Sequence, residues 1–155
     1  LPSTICITPS IKMAVWVNTF CTSIPEAAIR AGYEADGKPP YIARESMDGV
    51  MTPGKCGPHL HGAKIPYGGE ERDVNNYEVL VLPSDKDGYY EWKKASYGNV
   101  PANAYSTDDG MYIGRAEYSG SLIPGKVHAS HQCAYVPYGG KEVKQSHYEV
   151  LCKVI

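Results

Sequence analysis

The amino-acid sequence predicts an all-β protein built from two tandem, pseudo-two-fold related antiparallel repeats that pack on each other. The first observation is a repeated motif, because residues 52–71 and 123–142 share Pro-Gly-Lys, Pro-Tyr-Gly-Gly and a following Glu at the same spacing. The second observation is that runs rich in Tyr, Val and Ile are short and are separated by Gly and Pro. Such punctuation is typical of antiparallel strands joined by tight turns. A motif that returns in the same order indicates internal duplication.

The duplication covers nearly the whole chain, and its limits define the predicted domains. Tyr41 matches Tyr112 at a separation of 71 residues, whereas Trp16 matches Trp92 at a separation of 76. The difference between these separations makes the first copy five residues longer, within the stretch IRAGYEADGKPP. We predict an N-terminal arm or a remnant of processing or cloning at residues 1–12, a first repeat at 13–83 and a second repeat at 84–155.

The strands are predicted in the same order in both copies. The first copy contains AVWVN, YIARE, AKIPY and NYEVLVL, and the second contains YYEWKKA, MYIGRAEY, CAYVPY and HYEVLCKVI. IPEAAIRAG has Pro and Gly where a helix would start and end, but its counterpart VPANAYSTDDG has no helical pattern, so we expect a turn followed by a strand in both places. The two Pro-Tyr-Gly-Gly motifs predict hairpin turns, because Gly adopts a positive φ without strain. The turn-rich PSDKDG joins the copies.

Composition and charge narrow the classes of partner. The chain has 15 basic and 17 acidic residues, so it lacks the excess of positive charge that nucleic-acid binding usually requires. It has no long apolar run, and we expect no membrane insertion. Thirteen Tyr against one Phe favours a polar, wet ligand, because a Tyr hydroxyl needs a hydrogen-bonding partner.

The five cysteines do not form a repeated disulfide pattern. Their number is odd, and Cys56, Cys133 and Cys152 each fall opposite a residue other than Cys when the copies are superposed. We therefore predict mostly free thiols in a reducing compartment. The N-terminus has no apolar run as long as that of a secretory signal. We expect a cytoplasmic protein, or one released without a signal peptide.

Two stretches have the spacing GxxxxGK of a phosphate-binding loop, residues 49–55 and 120–126. A phosphate-binding loop continues with Ser or Thr and then a helix, whereas Cys56 or Val127 follows here. We therefore predict no nucleotide site and no cofactor.

The histidines and cysteines also offer little for a metal or for catalysis. His59 and His61 flank Leu60 and could form a zinc pair on a strand, but their counterparts are Ser130 and Gln132, and no further ligand lies at a suitable spacing. Cys56 and His59 are three residues apart, which places them on opposite faces of a strand. We predict no metal site, no catalytic residues and no enzyme activity.

Lys55 and Lys126 are the strongest candidates for ligand binding. Each follows Pro-Gly, where Pro restricts the backbone and Gly permits a close approach, so that the ammonium group is aimed. Acidic residues lie in the corresponding stretches, Glu34 and Asp36 in the first copy and Asp108 and Asp109 in the second. An ammonium beside a carboxylate supplies the donor and acceptor that neighbouring sugar hydroxyls need. The alternative is that each lysine only covers apolar surface with its stem.

The repeated pattern also resembles a known family. The order Trp, Pro, Ala, Gly, Tyr-Ile-x-Arg, Pro-Gly-Lys, Pro-Tyr-Gly-Gly-x-Glu and Tyr-Glu-Val-Leu, which spans about Met13 to Ile155, is similar to the tandem DM-nine repeat. Stretches such as AIRAGY, MTPGKCG, NYEVLV and YSGSLIP look like those of the oyster mannose-binding lectins built of two such repeats. The resemblance implies an all-β, homodimeric lectin that binds mannose without a metal and recognises microbial glycans in innate immunity.

The resemblance also implies particular site residues. The acidic residue after Ala-Gly-Tyr and the Lys of Pro-Gly-Lys bind sugar in that family, and they fall on Glu34 and Lys55. The family residue at the first position is Asp, so the longer Glu34 shifts the carboxylate, and Asp36 is the substitute acceptor. The shorter second copy lacks the Ala-Gly-Tyr stretch. It therefore offers a second, weaker site at Lys126 with Asp108 or Asp109.

Two functions remain open from the sequence. The first is a metal-independent lectin for mannose-type glycans on microbial surfaces. The alternative is a structural or protein-interaction scaffold without sugar binding, in which the repeated Gly, Pro and Tyr serve folding alone.

Overall fold

The computed structural model describes residues 14–82 and 90–154. Thirteen strands in this part of the chain form one curled antiparallel sheet. The strands of the first half are β1 Val15–Phe20, β2 Tyr41–Met47, β3 Val50–Gly57, β4 Gly62–Tyr67, β5 Glu70–Val74 and β6 Asn76–Val81. Those of the second half are β7 Tyr90–Ser96, β8 Ser106–Asp108, β9 Met111–Tyr118, β10 Ser121–His128, β11 Cys133–Tyr138, β12 Lys141–Gln145 and β13 His147–Lys153. A 3-10 turn, Ala129–His131, links β10 and β11.

The order of strands in the sheet reads the same from both ends. It runs β1-β6-β2-β3-β4-β5-β12-β11-β10-β9-β13-β7, with β8 added beside β9. Each strand of the first half therefore has a counterpart in the second half at the same distance from the centre. At the centre β5 meets β12, where Glu70 pairs with Lys141. The predicted fold class, all-β with two pseudo-two-fold related antiparallel repeats, is confirmed.

Each repeat also lends a segment to the other. The backbones of Tyr33 and Leu122 exchange two hydrogen bonds of 3.1 and 2.7 Å, which attach the longer connection of the first repeat to β10 of the second. In the opposite direction, Met51 N donates to Asp108 Oδ2 at 2.8 Å, and Thr107 Oγ1 donates to Met51 O at 2.8 Å. Met51 and Leu122 are equivalent positions of the two repeats. The halves are thus interlocked by hydrogen bonds as well as by the shared sheet.

Within residues 14–82 and 90–154 the apolar core has three parts, and one of them belongs to both repeats. This shared cluster contains Ile42 and Leu80 of the first repeat and their equivalents Ile113 and Leu151 of the second, all fully buried. Trp16 and Trp92 pack against it. Burying a side chain of this size contributes roughly 1.5–3 kcal/mol. Each half alone would leave its part of this cluster exposed to solvent.

The eight strands quoted from the sequence are confirmed, and β8 lies in the segment predicted to form a turn followed by a strand, but four strands were missed. The structure adds β3 and its counterpart β10, and β5 and its counterpart β12. Pro-Gly-Lys lies in the middle of β3 and β10, where a Pro-Gly pair normally argues against a strand. The Gly explains the exception: a Cβ on Gly54 would lie 2.3 Å from Lys64 O, and one on Gly125 would lie 2.2 Å from Tyr135 O. Only Gly permits the neighbouring strand to pass so closely.

The segment IPEAAIRAG forms a turn followed by short strand-like pairing, as predicted. Ala28 bridges to Val81, and Arg30 bridges to Tyr41. In the second repeat, Ser106 pairs with Tyr112 in the equivalent way.

Some predictions fall on residues outside the described ranges. They concern the arm at residues 1–12, Cys6 and the joint at residues 83–88, so the division into repeats at 13–83 and 84–155 stays a prediction. The four described cysteines, Cys21, Cys56, Cys133 and Cys152, are unpaired. In the two described ranges, no helix has the length and apolar character needed to cross a membrane.

We expect the substitution Gly125→Ala to destabilise the fold by about 1–3 kcal/mol, because the new methyl group must displace the backbone of β11. Urea unfolding would measure the loss. Thr22→Ala, at an exposed turn position, is the control and should change stability by less than about 0.5 kcal/mol. Equal unfolding midpoints for both variants would contradict the close approach at Gly125.

Candidate functional site

Lys55 lies inside the protein, close to two carboxylates. It belongs to β3, and only 4% of its side chain is exposed. Its Nζ lies 3.7 Å from Glu34 Oε2 and 3.9 Å from Glu71 Oε2. These carboxylates compensate a charge that would be costly to bury alone. Both distances exceed a direct hydrogen bond, so the ammonium protons remain available to a ligand atom placed between the groups.

Glu34 comes from the longer connection of the first repeat. The bridge between Tyr33 and Leu122 fixes the chain immediately before it, and Glu34 N donates to Lys38 O at 2.8 Å. One carboxylate oxygen, Oε2, faces Lys55 and lies 3.3 Å from His59 Nε2. The other, Oε1, is buried and has no hydrogen-bond partner among the described residues. An unpartnered buried oxygen costs about 1–3 kcal/mol, so a donor arriving there would be favoured.

The Glu after each Pro-Tyr-Gly-Gly motif connects the two repeats. Glu71 Oε1 accepts a hydrogen bond from Gly140 N at 3.0 Å, and Glu142 Oε1 accepts one from Gly69 N at 3.0 Å. Both Gly residues have a φ of +83°, which residues with side chains rarely adopt. Each Glu therefore holds the turn of the other repeat through one oxygen and faces the Lys of its own repeat with the other.

A tyrosine of the opposite repeat faces each lysine. Lys55 Nζ lies 5.5 Å from the ring centroid of Tyr138, and Lys126 Nζ lies 5.4 Å from that of Tyr67. Both distances suit a cation–π contact. Tyr67 is oriented by a hydrogen bond of 2.7 Å to Asp48 Oδ2, which also raises the pKa of the Tyr67 hydroxyl. Both lysine sites are thus assembled from the two repeats together.

The second site differs from the first in its acidic partner. Lys126 Nζ lies 2.7 Å from Glu142 Oε2, and both side chains are about nine-tenths buried. The predicted pairing of Lys126 with Asp108 and Asp109 is not formed. Asp108 instead accepts hydrogen bonds from the backbones of Met51 and Asp109, which lower its pKa. The shorter connection turns this segment toward β3 and away from Lys126.

Asp36 was predicted as the substitute acceptor beside Lys55, but its partner is Lys38. Its side chain is 57% exposed, and its carboxylate accepts a hydrogen bond of 3.0 Å from Lys38 N. This hydrogen bond lowers the pKa of Asp36. The structure therefore brings Glu34, and not Asp36, to Lys55.

The sequence analysis missed Glu71, Glu142 and His59 as site residues. The signal for the two glutamates was present, because a Glu follows Pro-Tyr-Gly-Gly at the same spacing in both repeats, but the motif was interpreted as a hairpin turn alone. His59 was not predicted to lie beside Glu34. It lies in the turn after β3, and the described residues include no group of His, Cys, Asp and Glu suited to a metal ion. Burial raises the pKa of the neighbouring Cys56 thiol, which makes it a poor nucleophile.

The cavities at the sheet surface include two of different size. The larger, about 820 Å³, is lined by residues of β7, β9, β10, β12 and β13, including Arg115 and Glu149, and neither Lys55 nor Lys126 lines it. The smaller, about 450 Å³, has His59 in its wall and therefore adjoins Glu34. The chemistry of the lysine site, rather than cavity size, identifies the first candidate site.

Comparisons with known proteins agree with the resemblance drawn from the sequence. The family model for the DM9 repeat matches residues 5–74 and 46–144. Natterin-4 and Natterin-3 of Thalassophryne nattereri are 32% and 28% identical over 131 residues, which cover 83% of this chain and 31% and 33% of the relatives. This chain thus spans about a third of those relatives.

A solved structure shares the fold. The crystal structure of the nematode sperm cell motility protein MFP2B matches 99% of this chain and 49% of that chain, with a TM-score of 0.74 and 18% identity. At this identity the likeness concerns the fold alone.

The buried ion pair of the second site leads to a prediction about the free energy of unfolding. We expect Glu142→Gln to destabilise the protein by about 3 kcal/mol, because Lys126 would remain buried without a countercharge while the hydrogen bond from Gly69 is retained. Adding Lys126→Met should recover most of the loss. Chemical unfolding of the single and double variants measures this, and an equally unstable double variant would contradict the pairing.

Proposed function

Because this chain belongs to the DM9 repeat family, we propose that it is a lectin that binds mannose-type glycans through the site around Lys55 without the help of a metal ion. DM9 repeats are associated with lectin-like or pattern-recognition roles. The observation that carries the proposal is the buried Lys55 ammonium between two carboxylates, beside a Glu34 oxygen that has no partner among the described residues.

The geometry suits two neighbouring hydroxyl groups of a sugar ring. A hydroxyl oxygen between Lys55 Nζ and Glu34 accepts a hydrogen bond from the ammonium, and its proton is donated to the carboxylate. The separation of 3.7 Å between these groups leaves both within reach of one oxygen atom. The ring of Tyr138 supplies an apolar face beside the ammonium. This combination favours a neutral polyol over a purely ionic ligand.

Glu34 fulfils the role that Asp has in the family pattern. Its extra methylene is accommodated because the preceding Tyr33 is tied to β10 of the other repeat and the following turn closes on Lys38. The carboxylate therefore points at Lys55 from a fixed backbone.

We regard the second site as the weaker one. Lys126 is in direct contact with Glu142 at 2.7 Å, so a hydroxyl must compete with an existing ion pair. The shorter connection contributes no carboxylate to this site. A sugar would meet Lys126, Tyr67 and Tyr135 there, and the carboxylate of Glu142 is already in contact with Lys126 and with Gly69 N.

The second candidate function is a scaffold for protein interactions. It is favoured by the contacts of Glu71 and Glu142 with the opposite turns, since these contacts stabilise the fold whether or not a sugar binds. A glycan array separates the two functions. Binding to mannosides supports the lectin, and silence on all of them supports the scaffold.

We expect Glu34→Gln and Lys55→Met each to reduce binding to immobilised mannan by at least about tenfold, because each removes one side of a charge-assisted hydrogen bond. Glu34→Gln preserves the shape of the side chain and tests chemistry apart from folding. Lys94→Met, which removes an exposed positive charge from β7 away from both lysine sites, is the control and should retain binding. Undiminished binding by both first-site variants, with circular dichroism showing intact folds, would refute the proposal.

A homodimer is part of this proposal, because single sugar sites bind weakly and two on one rigid body gain from avidity on a microbial surface. We expect sedimentation to show a dimer at micromolar concentration. We also expect the apparent affinity for dense mannan to exceed the affinity for free mannose. A monomer at every concentration tested would remove the dimer from the proposal and leave the sugar site in place.

A further inference from the structure

A cavity beside the proposed sugar site is lined by several basic side chains. It measures about 450 Å³ and is lined by Arg30, Lys38, Pro39, Tyr41, Pro58 and His59. Three of these six side chains are basic, and none of the lining residues is acidic. The other three are two prolines and a tyrosine, whose rings form stiff walls.

The cavity is connected to the lysine site through one pair of side chains. His59 stands in the cavity wall, and its Nε2 lies 3.3 Å from Glu34 Oε2. The same Glu34 oxygen lies 3.7 Å from Lys55 Nζ. A sugar held by Lys55 and Glu34 would therefore direct one of its substituents, or a neighbouring residue of the glycan, into this cavity.

Two acidic side chains lie near the cavity, and neither forms an ion pair with Arg30. Glu34 faces Lys55 and His59. Asp36 lies 3.7 Å from Lys38 Nζ, but both side chains are more than half exposed, and such surface pairs are weak. Arg30 has no ion-pair partner among the described residues. Its guanidinium offers the planar donor pair that binds phosphate or carboxylate through two hydrogen bonds.

The second repeat provides an internal comparison. The position of Arg30 is taken by Ser106, which pairs with Tyr112 as Arg30 pairs with Tyr41. His59 is replaced by Ser130, and Lys38 lies in the part of the connection where the first copy is longer. The duplicated fold thus exists without these three basic residues. Their presence in the first repeat is not a requirement of the sheet.

We propose that the first site selects glycans whose mannose-type residue carries an anionic group, with Arg30 as the principal ligand of that group and Lys38 as a supporting charge. This inference rests on the proposed function and names the class of glycan that the site takes. The shared chemistry is a phosphate ester or a carboxylate on the sugar. Either one fits a cavity of this volume with two cations on its wall.

The test compares neutral and charged sugars by titration calorimetry. The ligands are mannose, mannose 6-phosphate, mannuronate and, as a control for charge without the mannose configuration, glucose 6-phosphate. We expect at least one charged mannose derivative to bind about tenfold more tightly than mannose in low salt. The advantage should shrink at high salt, because the cations are exposed.

The decisive variant is Arg30→Ser, which introduces the residue of the second repeat. It should abolish the advantage of the charged ligand and leave the affinity for mannose unchanged. Lys94→Ser removes one exposed positive charge from β7 and should retain the advantage. A gain with the phosphate, the carboxylate or both supports the inference and identifies the substituent.

Three results would overturn the inference. The first is equal affinity for mannose and both charged derivatives, which leaves the proposed lectin function intact. The second is an advantage that survives Arg30→Ser or that glucose 6-phosphate shares fully. The third is the absence of binding to mannose and to every charged derivative, which would refute the lectin function as well.

Discussion

Glu71 and Glu142 each bind two groups at once, a backbone amide of the opposite repeat and a buried lysine of their own. The amide contact joins the Gly-Gly turns at the centre of the sheet, and the carboxylate–ammonium contact compensates the charge inside each half. The buried charge of Lys126 is compensated by Glu142, and that of Lys55 by Glu71 together with Glu34. The position of both lysine sites therefore depends on how the two turns meet, and the sites and the junction form one connected unit.

Duplication has produced two frameworks with the same geometry and different chemistry. Lys55 and Lys126 occupy equivalent strand positions and face equivalent tyrosines. The longer connection gives the first site Glu34 and a cationic cavity, whereas the shorter one leaves the second site with a closed ion pair. Because the connection of each repeat attaches to the other repeat, a change of five residues in one copy alters the surroundings of a site without disturbing the strands.

The sequence was sufficient for the repeat and the all-β class, because short punctuated runs and a motif at fixed spacing depend only on local order. It also predicted that Lys55 and Glu34 belong to one site, and the structure places Lys55 Nζ 3.7 Å from Glu34 Oε2. The strands that contain Pro-Gly-Lys were missed, because the close passage of a neighbouring strand at Gly54 is a tertiary contact. Asp108 was assigned to Lys126 by proximity in sequence, whereas its backbone partner lies in the other repeat. What the sequence could not supply were tertiary contacts, both between neighbouring strands of one repeat and across the pseudo-two-fold axis.

The reciprocal contact of the two Gly-Gly turns makes the pair, and not the single repeat, the smallest complete unit of this architecture. In a lone copy, the N–H of the Gly-Gly turn would have no carboxylate to which it could donate a hydrogen bond. The glutamate after the turn would likewise have no backbone N–H from which to accept one. Arrays of such repeats should therefore come in even numbers, or should complete an odd one by recruiting a copy from a second molecule. The reciprocal hydrogen bonds between the two turns thus favour an even number of repeats.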